Sequence, residues 1–396
     1  MENLISEIKQ LSASYLPEII SIRRHLHENP EISFEEYKTS DFIAARLREY
    51  DIPFKQGVVK TGIVALIEGK KPSRKVIALR ADMDALPITE TNSCEYISRN
   101  VGLMHACGHD AHCASLLGAA KILNELKGKF EGTVKLIFQP GEEKLPGGAS
   151  LMIKEGVLEN PAPQTIFGQH VFPSMETGKV GFRPGMYMAS TDELYMTVKG
   201  KGGHAAMVND YVNPLLIASA ILTELDGVFM KGTQKAPTVL AFGKITGNGA
   251  TNVIPDEVKI EGTFRTMNEE WRAEAHSKMK KIAAEIAVAM GGSCELKVEH
   301  GYPFLVNHEQ TTNTAKDAAV KYLGAENVEE LPMRMTAEDF AFFSQKVPAC
   351  FYRLGTANKA KGITSGVHTS TFDIDEKSLE IGAGLLAWIT INELNR

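Results

Sequence analysis

Val76-Ile77-Ala78-Leu79, running directly into Arg80-Ala81-Asp82-Met83-Asp84-Ala85-Leu86-Pro87, is the stretch from which the fold can be read. A short apolar run led by two β-branched residues has the character of a strand buried on both faces. The polar residues after it then lie just past the strand's end. Ile63–Ile67 (IVALI), Val134–Phe138 (VKLIF) and Ile166–Gly168 repeat the pattern. Helical stretches are expected at about 110–127, between the strands at 76–79 and 134–138, and at about 147–155. Two more lie upstream. Residues 4–27 carry Leu4, Ile5, Ile8, Leu11, Tyr15, Ile19 and Ile22 at roughly helical spacing and stop at Asn29-Pro30; the second covers about 34–50, with Phe42, Ile43 and Leu47 on one side. Strands alternating with helices predict an α/β domain with a mixed, largely parallel sheet. Functional groups in such sheets gather just past strand ends.

From about 186 the order changes. A strand at 193–199 (ELYMTVK), a helix at 213–230, strands at 238–246 and 257–266, a helix at 269–290 and a strand at 294–299 spell β-α-β-β-α-β, the ferredoxin-like order. A helix near 309–323, a strand at 350–354 and a closing helix at 376–394 follow. The expected architecture is a discontinuous α/β domain, 1–185 with 301–396, interrupted by an α+β domain at 186–300. At 396 residues two domains are the default. Composition agrees: 43% hydrophobic and 23% charged residues exclude disorder, collagen and coiled coil. A net charge of −6 with no long basic block gives nucleic acid no surface to bind. Stretches such as Leu215–Leu222 and Gly384–Ile391 are about half of the ~20 residues a membrane span needs. The polar start MENLISEIKQ lacks a signal-peptide pattern, so a cytoplasmic location is expected. The five cysteines, Cys94, Cys107, Cys113, Cys294 and Cys350, include no Cys-x-x-Cys pair.

The densest chemistry is Met104-His105-Ala106-Cys107-Gly108-His109-Asp110-Ala111-His112, with three of the eleven histidines, a thiol and a carboxylate. By itself it reads equally as a polar loop opening a helix, with Asp110 as a cap. Gln139-Pro140-Gly141-Glu142-Glu143 comes directly off the strand at 134–138, where paired carboxylates are costly unless partnered. His170 ends the run at 165–168, and His368 lies in Val-His-Thr-Ser-Thr-Phe. Thiolate, imidazole and carboxylate together suit zinc, with manganese, cobalt or nickel possible. Asp82 and Asp84 could bind a cation or orient a ligand histidine. Lys199-Gly200-Lys201-Gly202-Gly203-His204 lacks the phosphate-loop order. A cysteine hydrolase, with Cys107 as nucleophile and His109 or His170 as base, is also open. So is a scaffold or metal-storing protein.

MHACGHDAH, the Glu-Glu pair, GQH, GKGGHAA, TNVIPDEVKIEGTFR, TAEDF and His368 resemble the M20 metallopeptidases, in particular their amidohydrolase branch. The likeness runs from Ile22-Arg23-Arg24-His25-Leu26-His27-Glu28-Asn29-Pro30-Glu31 to the last helix. It implies two divalent metal ions per subunit held by Cys107, His109, Glu143, His170 and His368. It implies Glu142 as general base, and Asp84 as the residue that orients a ligand. Asp82, where the wider family has His, and Cys107, where it has a carboxylate, both favour the amidohydrolase branch. His204 matches the inserted-domain histidine that stabilises the oxyanion, often across a dimer, and Asn252 a residue holding the substrate's polar end. Met207-Val208-Asn209-Asp210 stands where relatives often continue with Pro-His. The implied activity is hydrolysis of N-acyl amino acids, with a homodimer formed through the inserted domain.

Overall fold

The strands at 76–82 and 133–139 have no exposed residue, as their uninterrupted apolar runs require. In the computed structural model, which describes residues 2–232 and 234–396, they are the middle of an eight-stranded sheet. Five strands come from the first part of the chain: β1 Phe54–Val58, β2 Gly62–Glu68, β3 Val76–Asp82, β4 Thr133–Gln139 and β5 Thr165–Glu176. The order is β1, β2, β4, β3, β5, then Ala349–Ala357, Val180–Phe182 and Val328–Glu330. β3 runs parallel to β4 and β5, and β5 to Ala349–Ala357. β1, β2 and β4 are antiparallel neighbours, so the sheet is mixed.

Of the helices α1 (Glu2–Glu28), α2 (Tyr37–Glu49) and α3 (His109–Glu125), α1 and α3 pack with the C-terminal helix Ser378–Leu394 in one layer, burying Ile19, Leu116, Leu117, Leu386 and Trp388. The C-terminal helix is apolar almost all round, which fits its nearly complete burial. Gly118 is required there: a Cβ would stand 2.6 Å from Ile19 and 2.8 Å from Ala383. Among the described residues no helix is long and apolar enough to cross a membrane.

The chain divides into two compact units. The first is Met1–Tyr187 with Val306–Pro332 and Asp339–Arg396. The second is Met188–Leu305 with Met333–Glu338, a short return that the 186–300 expectation leaves out. In the second unit the strands lie in the order Thr238–Thr246, Glu257–Thr266, Asp192–Lys199, Ser293–His300, all antiparallel. This is the ferredoxin-like arrangement. Leu194, Met196 and Val198 alternate onto the face packed with helices Pro214–Asp226 and Glu269–Ala289. Asn213 and Asn268 cap those helices, accepting from Leu215 N (3.0 Å) and Trp271 N (2.7 Å). The first helix ends at Asp226 in a π-turn, Gly227–Lys231, rather than continuing to 230.

Candidate metal centre

Strand register does the first part of the assembly. Asp82 on β3 lies beside Gln139 on β4, and Arg80 beside Gly168 on β5. Two residues on, Asp82 and His170 are level, at the same end of the sheet as the Gly141-Glu142-Glu143 turn. Parallel strands thus deliver all three motifs to one end of the sheet.

Helix geometry does the second part. Gly108, at φ 86°, turns the chain so that α3 begins at His109. A Cβ here would lie 2.5 Å from Val171 Cγ2. His109 and His112, three apart on the helix, present their rings together, centroids 5.4 Å apart. The RRHLH segment secures this helix start. Buried Arg23 donates to Asp110 (2.8 Å), and His27 Nδ1 lies 2.8 Å from the same carboxylate. His368 arrives from 260 residues downstream because its backbone N–H donates to Ala106 O (2.7 Å). Its φ of 62° is the left-handed region that a side chain seldom adopts.

Cys107, His109 and His170 bring their donor atoms within 4.8 Å of one another, and so do Cys107, Glu143 and His368. The sulfur of Cys107 belongs to both groups. It stands 3.5 Å from His170 Nε2, and His368 Nε2 is 3.2 Å from Glu143 Oε1. His170 Nδ1 donates to Val171 O (2.7 Å), so Nε2 is the bare nitrogen facing the sulfur. His109, Glu142 and Glu143 form a third close group. Glu143 Oε1 and His109 Nδ1 have ion-pair contacts with His368 Nε2 (3.2 Å) and Asp84 Oδ1 (3.3 Å), while His109 Nε2 is buried without a hydrogen bond. Such an atom is costly unless something else occupies it. A soft sulfur, imidazole nitrogens and a carboxylate oxygen are the donors of a borderline divalent cation. The residues therefore fit such an ion.

The surroundings are strongly polarised. Burial would raise the Asp82 carboxyl, yet Arg80, His109 and His112 hold it well below the usual range. Burial pushes the His170 imidazole down, helped by Arg353. Burial and Glu143 push the Cys107 thiol up. His368 is raised to about 10 by its contacts with Cys107 and Glu143.

Asp82, His109 and His112 also cluster, but within this group Asp82 and His112 form a hydrogen-bonded brace. His112 Nδ1 donates to Asp82 (2.6 Å), and its Nε2 accepts from Val171 N–H (2.9 Å). The lone pair a metal would need is already used, and it holds the backbone next to His170. Asp84 faces the opposite flank. Oδ1 accepts from Glu142 N (3.0 Å) and stands 3.3 Å from His109 Nδ1; Oδ2 accepts from Glu143 N (3.0 Å) and Ser33 Oγ (2.6 Å).

The motif reading therefore named side chains that do gather: Cys107, His109, Glu142, Glu143, His170 and His368, with Asp84 beside them. His204 and Asn252 belong to the second unit, on two segments that pair with each other. His204 pairs with Val253 in a two-residue ladder, and Ala205 N donates to Asn252 O (3.0 Å). Both side chains are exposed. Four further residues had no role assigned from sequence. Arg80 bridges Asp82 (2.5 Å) and Asp339 (2.7 Å), Gln139 donates to the same Asp339 (2.7 Å), and Glu36 contacts Gly141. Arg80, Gln139 and Asp339 stand inside quoted motifs, and only Glu36 lies outside them.

An α/β sheet with a buried sulfur–imidazole–carboxylate cluster at its strand ends, joined to a ferredoxin-like unit, defines a class of metal-dependent hydrolase. The model of peptidase family M20/M25/M40 matches residues 78–391, and the chain belongs to that family. "Thermostable carboxypeptidase 2" of Saccharolobus solfataricus is 38% identical, covering 100% of this chain and 99% of the relative. "N-acetylcysteine deacetylase" of Bacillus subtilis is 36% identical over 94% of this chain and 96% of its own length. The crystal structure of Bacillus subtilis YXEP protein, described as a dinuclear metal binding peptidase from the M20 family, superposes with a TM-score of 0.83 at 33% identity, covering 97% of this chain and 99% of that one. The protein is accordingly a hydrolase of that family.

Proposed function

We propose that the protein hydrolyses the amide bond of N-acyl amino acids with two divalent ions held by Cys107, His109, Glu143, His170 and His368. The observation that carries this is the pair of three-donor groups sharing the Cys107 sulfur, with His109 Nε2 buried among them without a hydrogen bond. When bound, such ions polarise a carbonyl and lower the pKa of water from about 15.7 towards 7. Cys107 would contribute to both positions, His109 and His170 to one, Glu143 and His368 to the other. Glu142 is the general base. It is buried, it adjoins His109 and Glu143, and its Oε1 accepts from Asp339 N (3.3 Å). It takes a proton from the attacking water and returns it to the leaving amine. Asp84 steadies the backbone of both glutamates and faces His109. His204 is assigned to the oxyanion and Asn252 to the substrate's polar end, in a homodimer built through the second unit. Relatives named as deacetylase, amidohydrolase and carboxypeptidase support an amino-acid-bearing substrate.

A cysteine-nucleophile mechanism, with Cys107 attacking and His109 or His170 as base, differs from this one in needing no metal and in passing through an acyl-enzyme. The test is hydrolysis of acetyl, benzoyl, indole-acetyl and fatty-acyl amino acids, with metal analysis on the same sample. The expected result is turnover of at least one, close to two ions per chain, and loss of turnover in chelator reversed by added metal. Turnover that persists in chelator, or an acyl-enzyme trapped on Cys107, refutes the proposal.

A further inference from the structure

The ladder between β3 and β4 ends at Gln139, so the next residues have no strand partner to fix their path. Their backbone amides go instead to buried carboxylates. Glu142 N and Glu143 N donate to Asp84, and Gly141 N donates to Glu36 Oε1 (2.8 Å). Glu36 is fully buried and otherwise committed to its own surroundings. Oε1 also accepts from Phe34 N (2.8 Å), and Oε2 accepts from Thr61 Oγ1 (2.7 Å). Phe34 adds a steric wall. A Cβ on Gly141 would stand 2.4 Å from its Cζ, so the ring lies against the glycine and forbids any larger residue. Gly141, at φ 60°, is thus held from two sides immediately before the general base and the metal-binding glutamate.

We propose that Glu36 is a positioning residue for the hydrolytic site: as a hydrogen-bond acceptor it fixes Gly141, and through it the path on which Glu142 and Glu143 project. The inference rests on the roles given to those two glutamates above. It assigns to Glu36 an acceptor's work, in which reach matters and charge does not. All three partners are donors. Two are main-chain amides on the same oxygen, and the third is a hydroxyl that can also accept. A glutamine can therefore keep its carbonyl oxygen on Phe34 N and Gly141 N and donate its amide to Thr61 Oγ1. An aspartate keeps the charge but falls short by one methylene. A displacement of about 1 Å at a catalytic group is enough to cost ~10²-fold in rate.

The experiment compares Glu36→Gln, Glu36→Asp and Glu36→Ala in the full chain. For each, kcat and KM are measured on an N-acyl amino acid that the wild type hydrolyses. The affinity of demetallated protein for zinc alone is measured by competition with a chromophoric chelator, and thermal melting is recorded alongside. Glu36→Gln is expected to stay close to wild type in kcat and zinc affinity. Glu36→Asp and Glu36→Ala are expected to lose roughly 10–100-fold in kcat and in zinc affinity, with KM little changed. Rescue by the uncharged isostere is the result a merely stabilising carboxylate would not give. Wild-type kcat and zinc affinity in Glu36→Ala, whatever its melting temperature, overturn the inference. So does a glutamine variant as impaired as the alanine one. If Glu36→Ala does not fold, the Gln and Asp pair decides by the same criteria. A wild type that neither binds zinc nor hydrolyses any of the amides overturns the functional proposal together with this one; an active wild type matched by Glu36→Ala overturns this one alone.

Discussion

Asp84→Asn removes no atoms of consequence, yet it should damage the protein more than its conservatism suggests. Asp84 receives hydrogen bonds on both oxygens, and two of the donors are main-chain amides, Glu142 N on Oδ1 and Glu143 N on Oδ2, each at 3.0 Å. Asparagine has one carbonyl oxygen and one NH2. With the NH2 on the Oδ2 side, Ser33 Oγ can reverse and accept, but Glu143 N–H cannot. With it on the Oδ1 side, Glu142 N–H cannot. Either rotamer leaves a buried amide facing another donor. Loss of a hydrogen bond to a charged group costs about 1.5–3 kcal/mol, and the orphaned amide about 1–3 kcal/mol more. A penalty of roughly 3–5 kcal/mol follows, a large part of the 5–15 kcal/mol typical of a domain. His109 also loses the carboxylate 3.3 Å from its Nδ1. Urea unfolding of the demetallated protein should show the stability loss. Metal affinity and kcat should each fall by roughly 10–100-fold. An Asp84→Asn protein with the wild-type midpoint and turnover would refute the reasoning, because no rotamer satisfies both amides.

Glu142→Gln should retain metal at the wild-type stoichiometry while turnover falls by roughly 10²–10⁴-fold, as paired metal analysis and rate assays would record; near-normal turnover removes Glu142 from the role of base. Gly108→Ala forces a side chain into the left-handed region and against Val171 Cγ2, for about 2–5 kcal/mol of combined strain and overpacking. Lower thermal stability and weaker metal binding together are expected, and a neutral result would show that the Cys107–His109 turn is not tightly packed. In the second unit burial would raise the Asp192 carboxyl, but hydrogen bonds from Arg272 and His276 outweigh it and set the group at about 2. A depressed folded value contributes stability that is complete above the unfolded value near 3.9 and is lost as pH falls through about 2. That contribution is roughly 2–3 kcal/mol. Asp192→Asn should flatten the acid limb of the stability profile between pH 4 and 2, and an unchanged limb would contradict the assignment.

Runs of apolar residues announced the parts of the fold that are buried on both sides. β3 and β4 were legible because nothing in them meets water, and the second unit because each strand of its four-stranded sheet is eight to ten residues long. β1 was not seen: its sequence, Phe-Lys-Gln-Gly-Val, half faces solvent, and five residues hold too few periods. Val180–Phe182 and Val328–Glu330 are three residues each, and Val-Glu-Glu carries no strand signal at all. β5 was placed at its apolar start but runs on to Glu176, because pairing with Ala349–Ala357 stabilises the polar half, Phe-Pro-Ser-Met-Glu. Tertiary pairing there overrides local composition.

The same asymmetry governs the site. Groups that bear the chemistry belong to rare residue types, and their concentration in MHACGHDAH, or as paired glutamates off a buried strand, separates them from background. Groups that aim the chemistry do not. Glu36 sits in Ser-Phe-Glu-Glu just before the helix Tyr37–Glu49, where acidic residues are favoured for reasons unrelated to catalysis. Its burial depends on Phe34, Thr61 and Gly141, up to 105 residues apart in the chain. His112 stood inside the densest motif and would have passed for a ligand. Only the Val171 N–H on its Nε2 shows that its lone pair is already engaged. The distinction between holding an ion and bracing the residue that holds it lies in which atom each nitrogen faces. That is fixed by strand register and helix phase together: Asp82 is level with His170 because β3 and β5 are in register, and His112 reaches both because it is one helical turn from His109. A shift of one residue in either element would leave every motif intact in the sequence and take the brace apart.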